Sequence, residues 1–239
     1  MGWLPDETGL EKNRANFVPL TPLSHLARAA DIFAGRTAVV YGRTRRSYAE
    51  YHARVSRLAS ALARRGIAPG DVVATILPNV PAQAEAHFGV PAAGAVLNTI
   101  NTRLDPDTVG YIFGHGGAKM VLVDAAFVPL AEAAIKEMEG PAPQIVEVAD
   151  PEAGIAASGH YLDYEALLAE GDPEARWVMP EDEWESIALN YTSGTTGRPK
   201  GVVYHHRGAC LMTMGTVVSW RMVLRPVYLT IVPLFHCNG

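Results

Sequence analysis

Short runs dense in β-branched residues alternate along the chain with longer stretches whose apolar positions recur at helical spacing. Residues 37–42 ("TAVVYG"), 71–77 ("DVVATIL"), 119–124 ("KMVLVD") and 144–148 ("QIVEV") predict strands, the first two of them buried. Residues 186–192 ("SIALNYT"), 202–204 ("VVY") and 227–232 ("VYLTIV") predict three more. Between the first two strands, Ser47 and Glu50 form a capping box; Tyr51, Val55, Leu58 and Leu62 then share one helical face, and Gly66 ends the helix. An Ala-rich helix is predicted over 81–95. A third opens at Asp105-Pro106, a capping residue with proline in the first turn, and stops at Gly116-Gly117. Two further helices are predicted over 127–138 and about 206–221. Strands separated by helices imply parallel pairing, so the expected class is α/β, with mainly parallel sheets flanked by helices.

Two seams interrupt this alternation. One is the loop at 149–159, rich in Ala, Gly, Pro and acid; the other is the polar, proline-bearing stretch at 171–185. The expected organisation is a first α/β subdomain with its N-terminal lead-in over 1–175, and the start of a second over 176–239.

Composition narrows the function classes. The chain has 239 residues, 49% apolar and 19% charged, enough for a sizeable core. A net charge of -5 argues against nucleic acid or an anionic membrane surface as a partner. The run from Glu137 to Glu185 holds many carboxylates and a single base, Arg176, and reads as a solvated face. No apolar run approaches the roughly 20 residues of a membrane span. Cys210 and Cys237 do not make a disulfide framework, and the N-terminus has no basic start followed by an apolar run. Asp6 stands where a myristoylation signal needs Ser or Thr. These features together predict a reduced, cytoplasmic protein.

The chemistry concentrates in residues 191–201, "YTSGTTGRPKG". Hydroxyls from Thr192, Ser193, Thr195 and Thr196 can donate to phosphate oxygens, Gly194 and Gly197 let backbone amides approach an anion, and Lys200 supplies a mobile cation. This is not the phosphate loop of the P-loop NTPases, which needs Gly-Lys-Ser/Thr in succession and an immediate helix. Here Pro199 precedes Lys200 and the chain continues as strand, so hydroxyls, loop amides and Lys200 would have to carry the anion. By composition alone an exposed hairpin of turn residues explains the run equally well.

The full string resembles the signature loop of the acyl-adenylate-forming enzymes, which include acyl-CoA synthetases, luciferases and peptide-synthetase adenylation domains. Thr192, Ser193, Gly194, Thr195, Thr196, Gly197 and Lys200 match it residue by residue. "PLFHCNG" at 233–239 is similar to that family's next motif, whose histidine position falls on His236. A histidine there resembles the CoA ligases rather than amino-acid adenylation domains. The segments 16–30 and 97–105 resemble the fatty-acyl and methylmercaptopropionate CoA ligase branch.

The resemblance implies ATP, Mg2+ and CoA as cofactors and a small carboxylic or fatty acid as substrate. It implies Lys200, Thr196 and His236 as catalytic residues, the loop residues as the nucleotide grip, and no metal ligand within this chain; a homodimer is admitted but not required. Further family elements, including the lysine-bearing C-terminal domain, would lie beyond Gly239. The expectation is therefore an N-terminal portion that binds ATP weakly by itself and makes no thioester. An acyl-AMP ligase, a peptide-synthetase-type adenylation domain and a non-catalytic nucleotide-binding module stay open as alternatives.

Other features read as structural. The adjacent His205 and His206 point to different faces with no third metal ligand in view. The "GHGG" at 114–117 is a helix stop. Met212, Thr213, Val217 and Trp220 are expected to pack in a core, and nothing orients His236 as a base for Cys237.

Overall fold

In a computed structural model of the chain, residues 9–192 and 197–236 are described. The elements run α1 (Leu23–Phe33), β1 (Thr37–Tyr41), β2 (Thr44–Ser47), α2 (Tyr48–Arg64), β3 (Val72–Ile76), α3 (Pro81–Ala92), β4 (Val96–Thr99) and α4 (Pro106–Gly116). They continue with β5 (Ala118–Asp124), α5 (Val128–Glu137), β6 (Gln144–Val148), β7 (Leu162–Asp163), α6 (Tyr164–Ala169), β8 (Ser186–Thr192), β9 (Lys200–His205) and α7 (His206–Ser219). Seven strands form one sheet in the order β7-β6-β5-β3-β4-β8-β9, parallel throughout except for the antiparallel β8–β9 pair. The expected α/β class with a mainly parallel sheet holds. Among the described residues no helix is long and apolar enough to cross a membrane.

Helices cover both faces because successive strand residues point to opposite sides. On β3, Val73 joins a core with α2, α3 and α6, while Ala74 and Ile76 join another with α4 and α5. The start of α2 is fixed as its sequence demands: Ser47 Oγ accepts from Glu50 N at 3.2 Å and Glu50 Oε2 accepts from Ser47 N at 2.7 Å. Asp105 likewise accepts from Thr108 N at 2.9 Å, Pro106 follows it, and Gly117 closes α4 in the left-handed region at φ 65°. Gly110 permits the close approach of α4 to α5, since a Cβ there would sit 2.6 Å from the Ala134 carbonyl oxygen.

Four expectations need correction. β1 does not enter the main sheet; it pairs with β2 in a separate antiparallel hairpin and is only partly covered. Its β-branched content is satisfied by packing one side on α2, which a hairpin achieves as well as a buried strand. β4 was not expected as a strand, because four residues leading straight into polar Asn101 carry too short a pattern. The 227–232 run forms no strand in the described residues, and Val227 is fully exposed; β propensity without a pairing partner does not make a ladder. On α7, Met212 is 72% and Trp220 61% exposed, so they do not pack in this core.

α7 is tied to the N-terminal segment by His206. Its Nδ1 lies 2.8 Å from Thr21 Oγ1, and both residues are buried. Burial pushes the His206 pKa down, against an opposing pull from Glu185. His52, stacked on Trp177 at 4.5 Å, is lowered by burial too.

Two stability measurements follow. Gly110→Ala should lower the unfolding free energy by about 1–3 kcal/mol in urea denaturation, because the backbone carbonyl of Ala134 must move. The lowered histidines favour the neutral ring in the fold, so the unfolded chain takes up more protons below about pH 6.5. Stability should thus be full above that value and fall as pH drops below it, and His206→Gln should flatten the fall in urea midpoint.

Candidate functional site

The loop singled out in the sequence is the connection between β8 and β9. Strand pairing of Tyr191 with Gly201 and of Thr192 with Lys200 closes its base. Ser193, Gly194, Thr195 and Thr196 lie outside the described residues. Of the loop, Gly197 has φ 153°, a conformation L side chains rarely adopt, with open space where a Cβ would stand, so the demand for glycine is conformational. Thr192 and Lys200 are exposed on opposite sides of the loop's mouth. β9 begins at Lys200 itself and α7 starts only at His206, so no helix opens straight after the loop.

One face of α4 braces both flanks of this loop. Asp107, Tyr111 and His115 are spaced four apart, one turn each. The Tyr191 hydroxyl is 2.7 Å from His115 Nδ1, and the Tyr191 ring meets Tyr111 edge to face at 6.4 Å. Burial pushes the Tyr191 hydroxyl up to about 12, with Tyr111 adding to the effect, so it stays protonated beside the imidazole. Near the end of the loop, Arg198 pairs with Asp107 at 2.8 Å and lies over the Tyr111 ring at 5.1 Å. Tyr111 therefore touches the strand before the loop and the loop's last turn. These three residues were not expected in the site; the only sequence signal was a polar and aromatic stripe at helical spacing.

The second motif arrives at the same end of the sheet. The backbone of Phe235 accepts from Thr99 Oγ1 at 2.9 Å, and that hydroxyl is 3.2 Å from Asn190 Oδ1 on β8. His236 is exposed, its N–H donating to the Pro233 carbonyl at 2.9 Å in a turn. Cys237 lies outside the described residues. The structure thus brings Thr192, Gly197, Lys200 and His236 to the carboxyl-terminal edge of the parallel strands, where open α/β sheets hold their ligands.

The paired histidines after β9 have other duties. His205 Nδ1 accepts from Gly208 N at 2.9 Å, capping α7, and its ring packs on Trp184 at 4.0 Å. His206 faces Thr21. Among the described residues no three His, Cys, Asp or Glu side chains form a metal-holding group. The described groups at the loop's mouth, the Lys200 ammonium and the Thr192 hydroxyl, are donors, which suit an anion better than a bare cation.

Comparison with known proteins agrees with that chemistry. The AMP-binding enzyme family matches residues 26–239. A peroxisomal acetate/butyrate–CoA ligase of Arabidopsis thaliana is 46% identical, the match covering 98% of this chain and 43% of the relative. A peroxisomal trans-cinnamate:CoA ligase of Petunia hybrida is 44% identical, covering 96% and 43%. Among solved structures, the N-terminal domain of FACL13 from Mycobacterium tuberculosis superposes with a TM-score of 0.69 at 28% identity, covering 91% of this chain and 52% of that one. ATP-bound MatB from Rhodopseudomonas palustris gives 0.74 at 24% identity over 91% and 41%, a likeness of fold. The chain spans about 43% of the length of the curated relatives it matches.

These relatives overturn the cytoplasmic expectation, since those from Arabidopsis and Petunia are peroxisomal by name. Sparse cysteine and a start without an apolar leader do not separate the two compartments, because a peroxisomal address can be a short C-terminal tag read by a receptor.

The brace makes a measurable claim. An edge-to-face aromatic pair and an exposed cation–π contact are together worth about 1–2 kcal/mol. Tyr111→Ala should therefore speed amide hydrogen exchange in the β8–β9 hairpin about tenfold, whereas Asp107→Ala, which removes an exposed ion pair, should change it less than about threefold.

Proposed function

The chain belongs to the AMP-binding enzyme family, and from that premise we propose that it carries the phosphate grip and carboxylate-side histidine of an AMP-forming acid–thiol ligase. In the reaction, a substrate carboxylate oxygen attacks the α-phosphorus of ATP and pyrophosphate leaves; the CoA thiol then attacks the acyl carbonyl, and AMP leaves. The supporting observation is that the two motifs meet at one edge of the sheet, linked through Thr99.

The first half-reaction brings one anion against another, so the protein must act by positioning and by donors fixed beforehand. Ser193, Thr195, Thr196 and the loop amides would hold the β- and γ-phosphates. Lys200, exposed at the mouth, would meet the charge that develops as pyrophosphate departs. Thr192 and Gly197 set where the loop enters and leaves. His236 would orient the carboxylate for attack. Mg2+, when bound, would neutralise phosphate charge; none of the described residues is assigned to it.

The substrate class we assign is a small monocarboxylic acid, because relatives at 46% and 44% identity are named for acetate, butyrate and cinnamate. We also keep the division into 1–175 and 176–239 as a boundary in the stretch between α6 and β8, which has no helix or strand of its own, with β8 and β9 completing the same sheet as β4.

Lys200→Ala should slow ATP–pyrophosphate exchange at least tenfold in the full-length protein, about 1.4 kcal/mol of barrier. Exchange unchanged in that variant would remove Lys200 from the mechanism. A panel of acetate, butyrate, benzoate and cinnamate, each read for pyrophosphate release with and without CoA, tests the substrate and the thiol acceptor together.

A further inference from the structure

The segment leading to His236 has little apolar burial to hold it. Leu224, Val227, Leu229 and Ile231 are all largely exposed. What fixes it is polar. Asn79, in the turn between β3 and α3, donates through Nδ2 to the carbonyls of Thr230 at 3.3 Å and Val232 at 3.0 Å, while its Oδ1 accepts from Leu234 N at 2.7 Å. A single carboxamide, having donors and an acceptor, thus holds three backbone groups between 230 and 234. One residue on, the carbonyl of Phe235 accepts from Thr99. Thr99 is buried at the end of β4, and its hydroxyl also lies against Asn190, two residues before Thr192.

We infer that Asn79 and Thr99 are positioning residues that set His236 against the nucleotide loop and so govern capture of the carboxylate. Asn79 fixes the line of the segment; Thr99 fixes its end relative to β8. The inference rests on the reading of His236 given above. Misplacing a group by about 1 Å can cost as much as 100-fold in a reaction that depends on orientation. Losing the two bonds of Thr99 or the three of Asn79 should therefore show in carboxylate saturation rather than in fold stability.

The test is ATP–pyrophosphate exchange by the full-length protein, using whichever of acetate, butyrate or benzoate the wild type exchanges fastest. Thr99→Val and Asn79→Ala should each raise the half-saturating carboxylate concentration at least about tenfold and move that for ATP less than about threefold. Thr99→Ser, which restores the hydroxyl, should recover wild-type saturation to within about threefold. If His236→Ala raises the carboxylate requirement while Thr99→Val and Asn79→Ala change it less than about threefold, or change that for ATP equally, the inference falls alone. If His236→Ala leaves carboxylate saturation unchanged, the reading of His236 falls and the inference with it. Thr99→Ser behaving like Thr99→Val would also overturn it, because the hydroxyl would then not be what positions the segment.

Discussion

A buried carboxylate holds the helical layer in place. Glu85 on α3 has no exposed surface, and three other elements converge on it: Arg46 from β2, Arg54 from α2 with Nε at 2.7 Å, and the Tyr164 hydroxyl from α6 at 2.9 Å. Arg54 reaches on to Glu165, again on α6, at 2.6 Å. An unpaired carboxylate at this depth would cost several kcal/mol, so the hairpin, α2, α3 and α6 can share the core only in the arrangement that meets Glu85. Such a pair adds little net stability over an apolar contact; what it fixes is register. The turn carrying Asn79 immediately precedes α3, so the constraint on Glu85 is also a constraint on where Asn79 presents its carboxamide.

From that frame the site is built by backbone rather than by a pocket of apolar side chains. β8 lies beside β4, so the end of β4 puts the Thr99 hydroxyl next to Asn190, while Asn98 Nδ2 donates to the Leu189 carbonyl at 2.7 Å. β9 returns antiparallel and sets Lys200 across from Thr192. The parallel strands deliver their ends to one edge; the single antiparallel return makes a loop there instead of a crossover. α4, on the other face, then reaches that loop from the side through Tyr111 and His115.

What was legible in the sequence is what local chemistry decides. The Ser47–Glu50 box, the Asp105-Pro106 start and the Gly117 stop are each set by residues within a few positions of one another, and all three occur where expected. The loop string was readable because its chemistry is carried by residue types rather than by a fold. The rest depends on distant partners. β4 is four residues long and earns its strand geometry from β3 and β8 on either side. Residues 227–232 have the composition of a strand and no ladder in the described residues, so the same kind of pattern gave opposite outcomes at the two places. Asn79 and Thr99 sit in ordinary-looking turn and strand ends, and their contacts span 91 to 155 residues. No window of sequence contains both ends of such a bond.

The placement of stiffness follows from the task. A loop that surrounds a polyphosphate must present hydroxyls and amides, and the residues suited to that, glycine, serine and threonine, contribute little apolar burial. Its order has to come from outside it. Pairing Thr192 with Lys200 joins the two ends of 193–199 before any ligand arrives, so the entropy of closing that loop is met by the β8–β9 ladder. Tyr191 and Arg198 then lean on α4, and Asn190 on Thr99, so the contacts that fix the loop gather at its two ends. A loop anchored at its ends would need less reorganisation as charge develops on a departing group, which is where fixed dipoles contribute most to rate. His236 is held in the same way, through the backbone before it, and stays exposed.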